Sequence, residues 1–183
     1  TDIDLALSLS SYMPMFGRGI TRVPAHHYVE AATVQDMTRQ RDFRQHKYDH
    51  VDDPWGARLQ ALQDSGNTAR LYRDVERAKI ALSAASEHRS TLDYIARDLH
   101  ADSSADGLAA AAHGYLEQIR ELLAQVRSDI GGDPDAVFLT GGMSRAGYLR
   151  QAVAEAFPGA RMVHGEPSLG VVQGLALAAA SQD

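Results

Sequence analysis

Three polar residues in one run have the types and spacing to hold a sugar. In Glu76-Arg77-Ala78-Lys79-Ile80-Ala81-Leu82-Ser83, positions 76, 79 and 83 follow steps of three and four. At about 100° per residue they share one narrow stripe of a helix, beside its apolar stripe. Such a stripe sits at the edge of a core, facing a cleft. A carboxylate accepts hydrogen bonds, an ammonium donates them and a hydroxyl does both, which suits ribose hydroxyls. The plain alternative is a Glu76–Lys79 surface pair, contributing about 0.2–0.5 kcal/mol.

A second run, Leu139-Thr140-Gly141-Gly142-Met143-Ser144-Arg145, reads as a strand that ends in two glycines and opens a helix. Without Cβ atoms at Gly141 and Gly142, backbone N–H groups can approach a phosphate or a sugar. Arg145 at the helix start can lay its planar guanidinium on an aromatic base. The plain alternative here is a tight left-handed turn.

Other candidates carry less. His26, His27, His46 and His50 fall close together in sequence, and His46 and His50 have the i,i+4 spacing that can ligate zinc from one helix. Neither a cysteine nor a third well-spaced ligand accompanies them. Their neighbours Arg44, Lys47, Asp49, Asp52 and Asp53 favour a solvated face, so no metal site is expected. Gly-x-Ser-x-Gly does not occur, so no nucleophile elbow is visible.

The elements that must position these residues follow from periodicity. Asp2 to Tyr12 reads as a short helix running into Met13-Pro14, where proline disfavours continuation. Residues Met15 to Pro54 look like an irregular, mostly helical insertion. Trp55 to Gln63 reads as a helix, broken at Ser65-Gly66-Asn67, with Asn67 placed to cap the next. Thr68 to Ser86 carries Leu71, Val75, Ala78, Leu82 and Ala85 at helical steps. Ser90 to Ile95 alternates as a strand does. Ser103 or Ser104 then caps one long helix with a stripe of Leu108, Ala112, Leu116, Ile119, Leu123 and Val126, stopped by Gly131-Gly132-Asp133-Pro134. The remainder reads as a short buried strand at Ala136 to Thr140, a helix at Ala146 to Phe157, a brief strand at Arg161 to Val163, and a last helix from Pro167 to Ala180. That rhythm predicts parallel pairing with a helical crossover.

Composition sets outer limits. The 183 residues are 44% hydrophobic, enough for one good core or two small lobes. A net charge of -6 gives no basic footprint for nucleic acid and no attraction to an anionic membrane. There is no cysteine, so disulfides and thiolate metal sites are excluded, and a reducing cytoplasm is compatible. The longest apolar stretch, Leu169 to Ala180, is shorter than the roughly 20 residues a membrane helix needs. The Thr-Asp-Ile-Asp start, with no Met and no signal-like pattern, predicts a piece cut from a longer protein.

The two runs together, in their order along the chain, resemble the DnaK-like proteins of the seventy-kilodalton heat-shock chaperone family. The resemblance rests on Ala78-Lys79-Ile80, Leu82-Ser83, Leu92, Tyr94-Ile95 and Asp98, on Val137 through Arg145, on Pro167 with Gly174-Leu175-Ala176, and on Thr1-Asp2-Ile3-Asp4. It covers nearly the whole chain except about Met13 to Pro54. It is nearest to the YegD-type branch, which has an ATPase domain and no peptide-binding domain.

The resemblance implies an α/β fold, lobe II of an actin-like ATPase. Residues 1–112 would form a mainly helical cap with a short sheet, and residues 113–183 part of a ribonuclease H-like base. It implies that Glu76, Lys79 and Ser83 hold the adenosine side of ATP or ADP, that Gly141 and Gly142 bring backbone near the nucleotide, and that Arg145 stacks on adenine. It also implies Mg2+ in the intact protein, a cytoplasmic ATPase, and an exchange factor or co-chaperone on the helical subdomain. Catalysis would need the Lys, carboxylates and phosphate loop of a lobe preceding Thr1, so this chain by itself is expected to bind nucleotide weakly and not to turn it over.

Some residues depart from the pattern. Ser168-Leu169 replaces an acidic pair that follows Pro in the family, the strand pair after Asp98 is shortened, and the Met13 to Pro54 segment is longer. Two further readings therefore stand beside the first. One is another actin-fold enzyme, such as a sugar kinase, that reuses Gly-Gly-x-x-Arg. The other is a nucleotide-independent interaction module.

Overall fold

The computed structural model describes residues 2–140 and 147–164. The chain is mixed α/β, with helices predominating and, among the described residues, two two-stranded sheets. It divides into two units, Thr1–His113 and Gly114–Asp183.

The first unit opens with α1 (Asp2–Leu7), which passes through a π-helical turn at Ser8–Tyr12 and a 3-10 turn at Met13–Phe16. Gly17 ends this run with φ 96°; a Cβ there would lie 2.5 Å from the Thr21 methyl, so both conformation and space call for glycine. Three helices fill the segment expected to be an insertion and its flank: α2 (Ala25–Ala32), α3 (Met37–Gln45) and α4 (Trp55–Gln63). Asp36 caps α3, accepting from the backbone N–H groups of Thr38 and Arg39. Buried Gln40 joins the elements: its amide donates to the Glu30 carbonyl at 2.7 Å, and its oxygen accepts from the Thr68 hydroxyl at 2.7 Å.

The next helix, α5 (Asn67–Ala81), buries Leu71, Val75 and Ala78, as the apolar spacing requires. Its start and end differ from expectation. Gly66, left-handed at φ 84°, holds the cap position, and the Asn67 side chain reaches back to the Ala61 carbonyl instead. The helix stops at Ala81, five residues short of Ser86. Leu82 is still buried, but Ala85 is exposed.

The strand expected at Ser90 to Ile95 lies earlier. β1 (Glu87–Thr91) pairs antiparallel with β2 (His100–Ser104), Glu87 opposite Ser104 and Thr91 opposite His100. Residues 92–95 turn instead, carrying buried Leu92 into the core. The Ser104 hydroxyl then accepts from the Gly107 N–H and caps α6 (Ala105–Ala111). The single long helix expected here is two, since α6 ends at Ala111 and α7 (His113–Asp129) starts anew after Ala112. Buried Ile3, Leu7, Tyr12, Phe16, Tyr28, Phe43, Leu59 and Leu62 complete the core of this unit.

In the second unit, α7 leads through Gly131-Gly132 to β3 (Ala136–Leu139), α8 (Gly147–Ala156) and β4 (Arg161–His164). β3 and β4 run parallel, Ala136 opposite Arg161 and Leu139 opposite His164, as the glycine-turn-helix rhythm predicts. The expectation of a buried β3 is not met, because Phe138 is 60% exposed and, among the described residues, β3 pairs only with β4. Asp133 ties the corner, taking Arg127 Nε at 2.8 Å and the Gly159 N–H at 3.2 Å. The helix expected from Pro167 to Ala180 lies outside the described residues.

Candidate functional site

The stripe on α5 starts from a helix whose apolar side is fixed by Leu71, Val75 and Ala78, which leaves positions 76, 79 and 83 toward its edge. Glu76 is exposed and carries no hydrogen bond or ion pair among the described residues. Its carboxylate is available to an incoming hydroxyl. Lys79 does not pair with Glu76. Its ammonium lies 2.5 Å from Asp4 Oδ1, with side-chain exposures of 16% for Lys79 and 2% for Asp4. Ser83 is exposed just past the end of α5, where its hydroxyl donates to the Ile80 carbonyl at 2.6 Å. Both lone pairs of that oxygen remain able to accept.

Of the three, then, Glu76 and Ser83 face solvent while Lys79 is turned toward α1. Asp4 was missed as a partner. The signal was a carboxylate inside the apolar run Ile3, Leu5, Ala6 and Leu7, since a charge at such a position is buried only with company. Gly141, Gly142 and Arg145 lie outside the described residues. In sequence they fall between the end of β3 at Leu139 and the start of α8 at Gly147.

Around α5 several polar groups are already committed. Asp74 receives the Tyr94 hydroxyl at 2.7 Å and Arg77 at 3.1 Å, and the Arg70 guanidinium sits 4.1 Å above the Tyr94 ring. The Tyr12 hydroxyl meets Ser90 Oγ at 2.7 Å. Burial pushes the Tyr12 phenol up to about 12, with the Ser90 hydrogen bond opposing the shift. A hollow of about 620 Å³ beside the hairpin is polar, but its Arg89 is engaged at both ends by Asp102, at 2.6 and 3.1 Å.

The histidines depart from the solvated face expected of them. α3 ends at Gln45, so His46 and His50 do not share a helix. Instead His46 meets the first turn of α2. Its ring stacks on His27 with centroids 3.5 Å apart and planes at 8°, and His26 stands edge-on to His27 at 4.5 Å. His46 Nε2 lies 2.7 Å from Glu30 Oε2, and His27 Nδ1 lies 3.2 Å from the Tyr48 hydroxyl. His27 is held down to about 4, first by burial and then by the neighbouring His46 and His26. His26 and His50 stay exposed.

No protein-family model matches the chain, and no solved structure matches it at a significant level. No helix among the described residues is long and apolar enough to cross a membrane.

Proposed function

We propose that this chain is the adenosine-binding lobe of a DnaK-like, actin-fold ATPase that works on ATP and ADP. The observation that carries the reading is the parallel β3–α8–β4 unit with Gly141-Gly142 next in sequence to the carboxyl end of β3. In open α/β sheets, ligands bind beyond the carboxyl ends of the strands. A glycine pair at such a position, ahead of a helix in sequence, would give phosphate or sugar access to backbone N–H groups.

α5 adds a second support. Glu76 and Ser83 offer an acceptor and a hydroxyl to ribose, both exposed. Lys79 is a poorer candidate for direct contact than its spacing alone implies, because Asp4 holds its ammonium. In this reading Lys79 anchors α5, and Arg145 supplies the stacking cation. Mg2+ would be held by the nucleotide phosphates and by residues of another lobe, and a cytoplasmic exchange factor would act on the helical unit. The chain binds without turnover, because phosphoryl transfer depends on positioning and charge stabilisation that these residues do not supply.

Titration of adenosine, ADP and ATP into the protein, followed by backbone amide chemical shifts, tests the reading. Saturable shifts around Glu76, Ser83 and residues 141–145 are expected with all three ligands, because recognition is centred on the nucleoside. Shifts with ATP and ADP but not adenosine would assign these residues to phosphate alone. Silence with all three would favour the interaction-module reading.

A further inference from the structure

The chemistry left unused by the α5 reading is gathered on α2 and at the end of α3. We propose that His26, His27 and His46 form a site for a divalent transition metal, with Zn2+ the ion best suited, and that Glu30 and Tyr48 orient two of the rings.

The backbone brings the ligands together. His26 and His27 occupy the first turn of α2, and His46 is the residue after α3, where φ -67° and ψ 147° turn the chain out of the helix. One ring nitrogen from each of the three histidines lies within 4.8 Å of the others. Around a tetrahedral Zn2+ with Zn–N of about 2.1 Å, ligand nitrogens stand about 3.4 Å apart. The ring nitrogens must therefore close by up to about 1.4 Å. His26, which is exposed, has room to move, and His46 sits at a helix end.

The outer groups strengthen the case beyond proximity. Glu30, one turn along α2 from His26, accepts from His46 Nε2–H at 2.7 Å, which leaves His46 Nδ1 with the lone pair. The Tyr48 hydroxyl, buried and placed 3.2 Å from His27 Nδ1, leaves His27 Nε2 in the same condition when it accepts that proton. A carboxylate behind one ligating histidine and a hydroxyl behind another fix ring orientation, as outer partners at metal sites do. Three imidazoles without thiolate select zinc, copper or nickel over calcium and magnesium. Water is free to take the fourth position, since His26 borders solvent.

A bound metal would give each of these five side chains a task, three as ligands and two as outer partners. The site is independent of the adenosine reading, since it uses no residue of α5.

Calorimetric titration of Zn2+ into the 183-residue protein tests the proposal, with Co2+ absorption reporting ligand number. One equivalent is expected to bind, with the intense visible bands of four-coordinate Co2+. His26→Ala and His46→Ala should each weaken binding at least tenfold. Glu30→Gln should weaken it about 10–100-fold with unchanged stoichiometry, as loss of an outer partner does. Exposed His26 makes its variant safe for folding, and circular dichroism checks the others. No Zn2+ binding by the wild type, or binding unchanged in the His26→Ala, His46→Ala double variant, overturns the proposal.

Discussion

The ammonium of Lys79 lies 2.5 Å from the carboxylate of Asp4, a residue 2% exposed, so α5 is tied to α1 by a buried ion pair. Removing the ammonium takes from a buried carboxylate one of the groups that compensate its charge. Lys79→Met is expected to lower the unfolding free energy by about 3–5 kcal/mol, read by urea denaturation of the ligand-free protein. A change below about 1 kcal/mol, the range of an exposed pair, would return Lys79 to the ligand side of the site.

Gly56 tests the packing that carries α4. A Cβ at this position would stand 2.4 Å from the Val51 carbonyl oxygen and 3.1 Å from that of Tyr48, and backbone cannot swing aside as a side chain does. Gly56→Ala should therefore destabilise by about 1–3 kcal/mol. Gly114, near the start of α7, faces open space, so Gly114→Ala should raise stability by up to about 1 kcal/mol. Thermal melts that give the two substitutions the same sign would refute this packing.

Alkaline pH should loosen the first unit. Burial raises Tyr12 from 10.0 to about 12 and shifts Tyr48 and Tyr94 upward as well. Each phenol keeps its proton in the folded state at a pH where the unfolded chain has released it. The Tyr12 contribution is fully present below pH 10 and is lost as pH rises from there through about 12, while those of Tyr48 and Tyr94 begin to be lost at the same point and continue to fall at higher pH. Denaturation midpoints should be level with respect to these groups up to pH 10 and fall beyond it, and Tyr12→Phe should make the fall shallower. An equally steep fall in that variant would assign the effect to other groups.

Much of the architecture was legible in the chain. Trp55 to Gln63 is helical as its pattern requires, and parallel β3 and β4 follow from the glycine-turn-helix rhythm. The strand expected at Ser90 to Ile95 was misplaced, and its partner at His100 to Ser104 was missed, for a physical reason. Glu87-His88-Arg89-Ser90-Thr91 and His100-Ala101-Asp102-Ser103-Ser104 bury only Ser90, Ala101 and Ser103, so no apolar alternation marks them. Backbone pairing makes these strands, and sequence periodicity is blind to it. The break at Ala112 was hidden in an alanine-rich run that suits a helix throughout.

The site was legible in part. Glu76 is exposed on α5 and Ser83 is exposed just past its end, where spacing predicts that the helix continues, and spacing could not reveal that Asp4, distant in sequence, claims Lys79. The same limit hid the histidine cluster. The i,i+4 rule coupled His46 to His50, while the true neighbours of His46 are His26 and His27, about twenty residues earlier, brought near by the packing of α2 on α3. Local rules see one helix at a time, and both contacts cross between helices.

The central claim is that this chain recognises adenosine, and the most direct measurement compares adenosine affinity in wild type with Glu76→Gln, Ser83→Ala and Arg145→Ala. Among the described residues, exposed Glu76 and Ser83 take no part in a buried ion pair, unlike Lys79. The account predicts that the wild type binds and that Glu76→Gln loses about 1.5–3 kcal/mol, as hydrogen bonds to charged groups do. Arg145→Ala should lose about 0.5–2 kcal/mol, as a cation stacked on an aromatic face does. Ser83→Ala should lose less, about 0.5–1.5 kcal/mol. Wild-type binding that all three variants retain at full strength, or no binding at all, would contradict it.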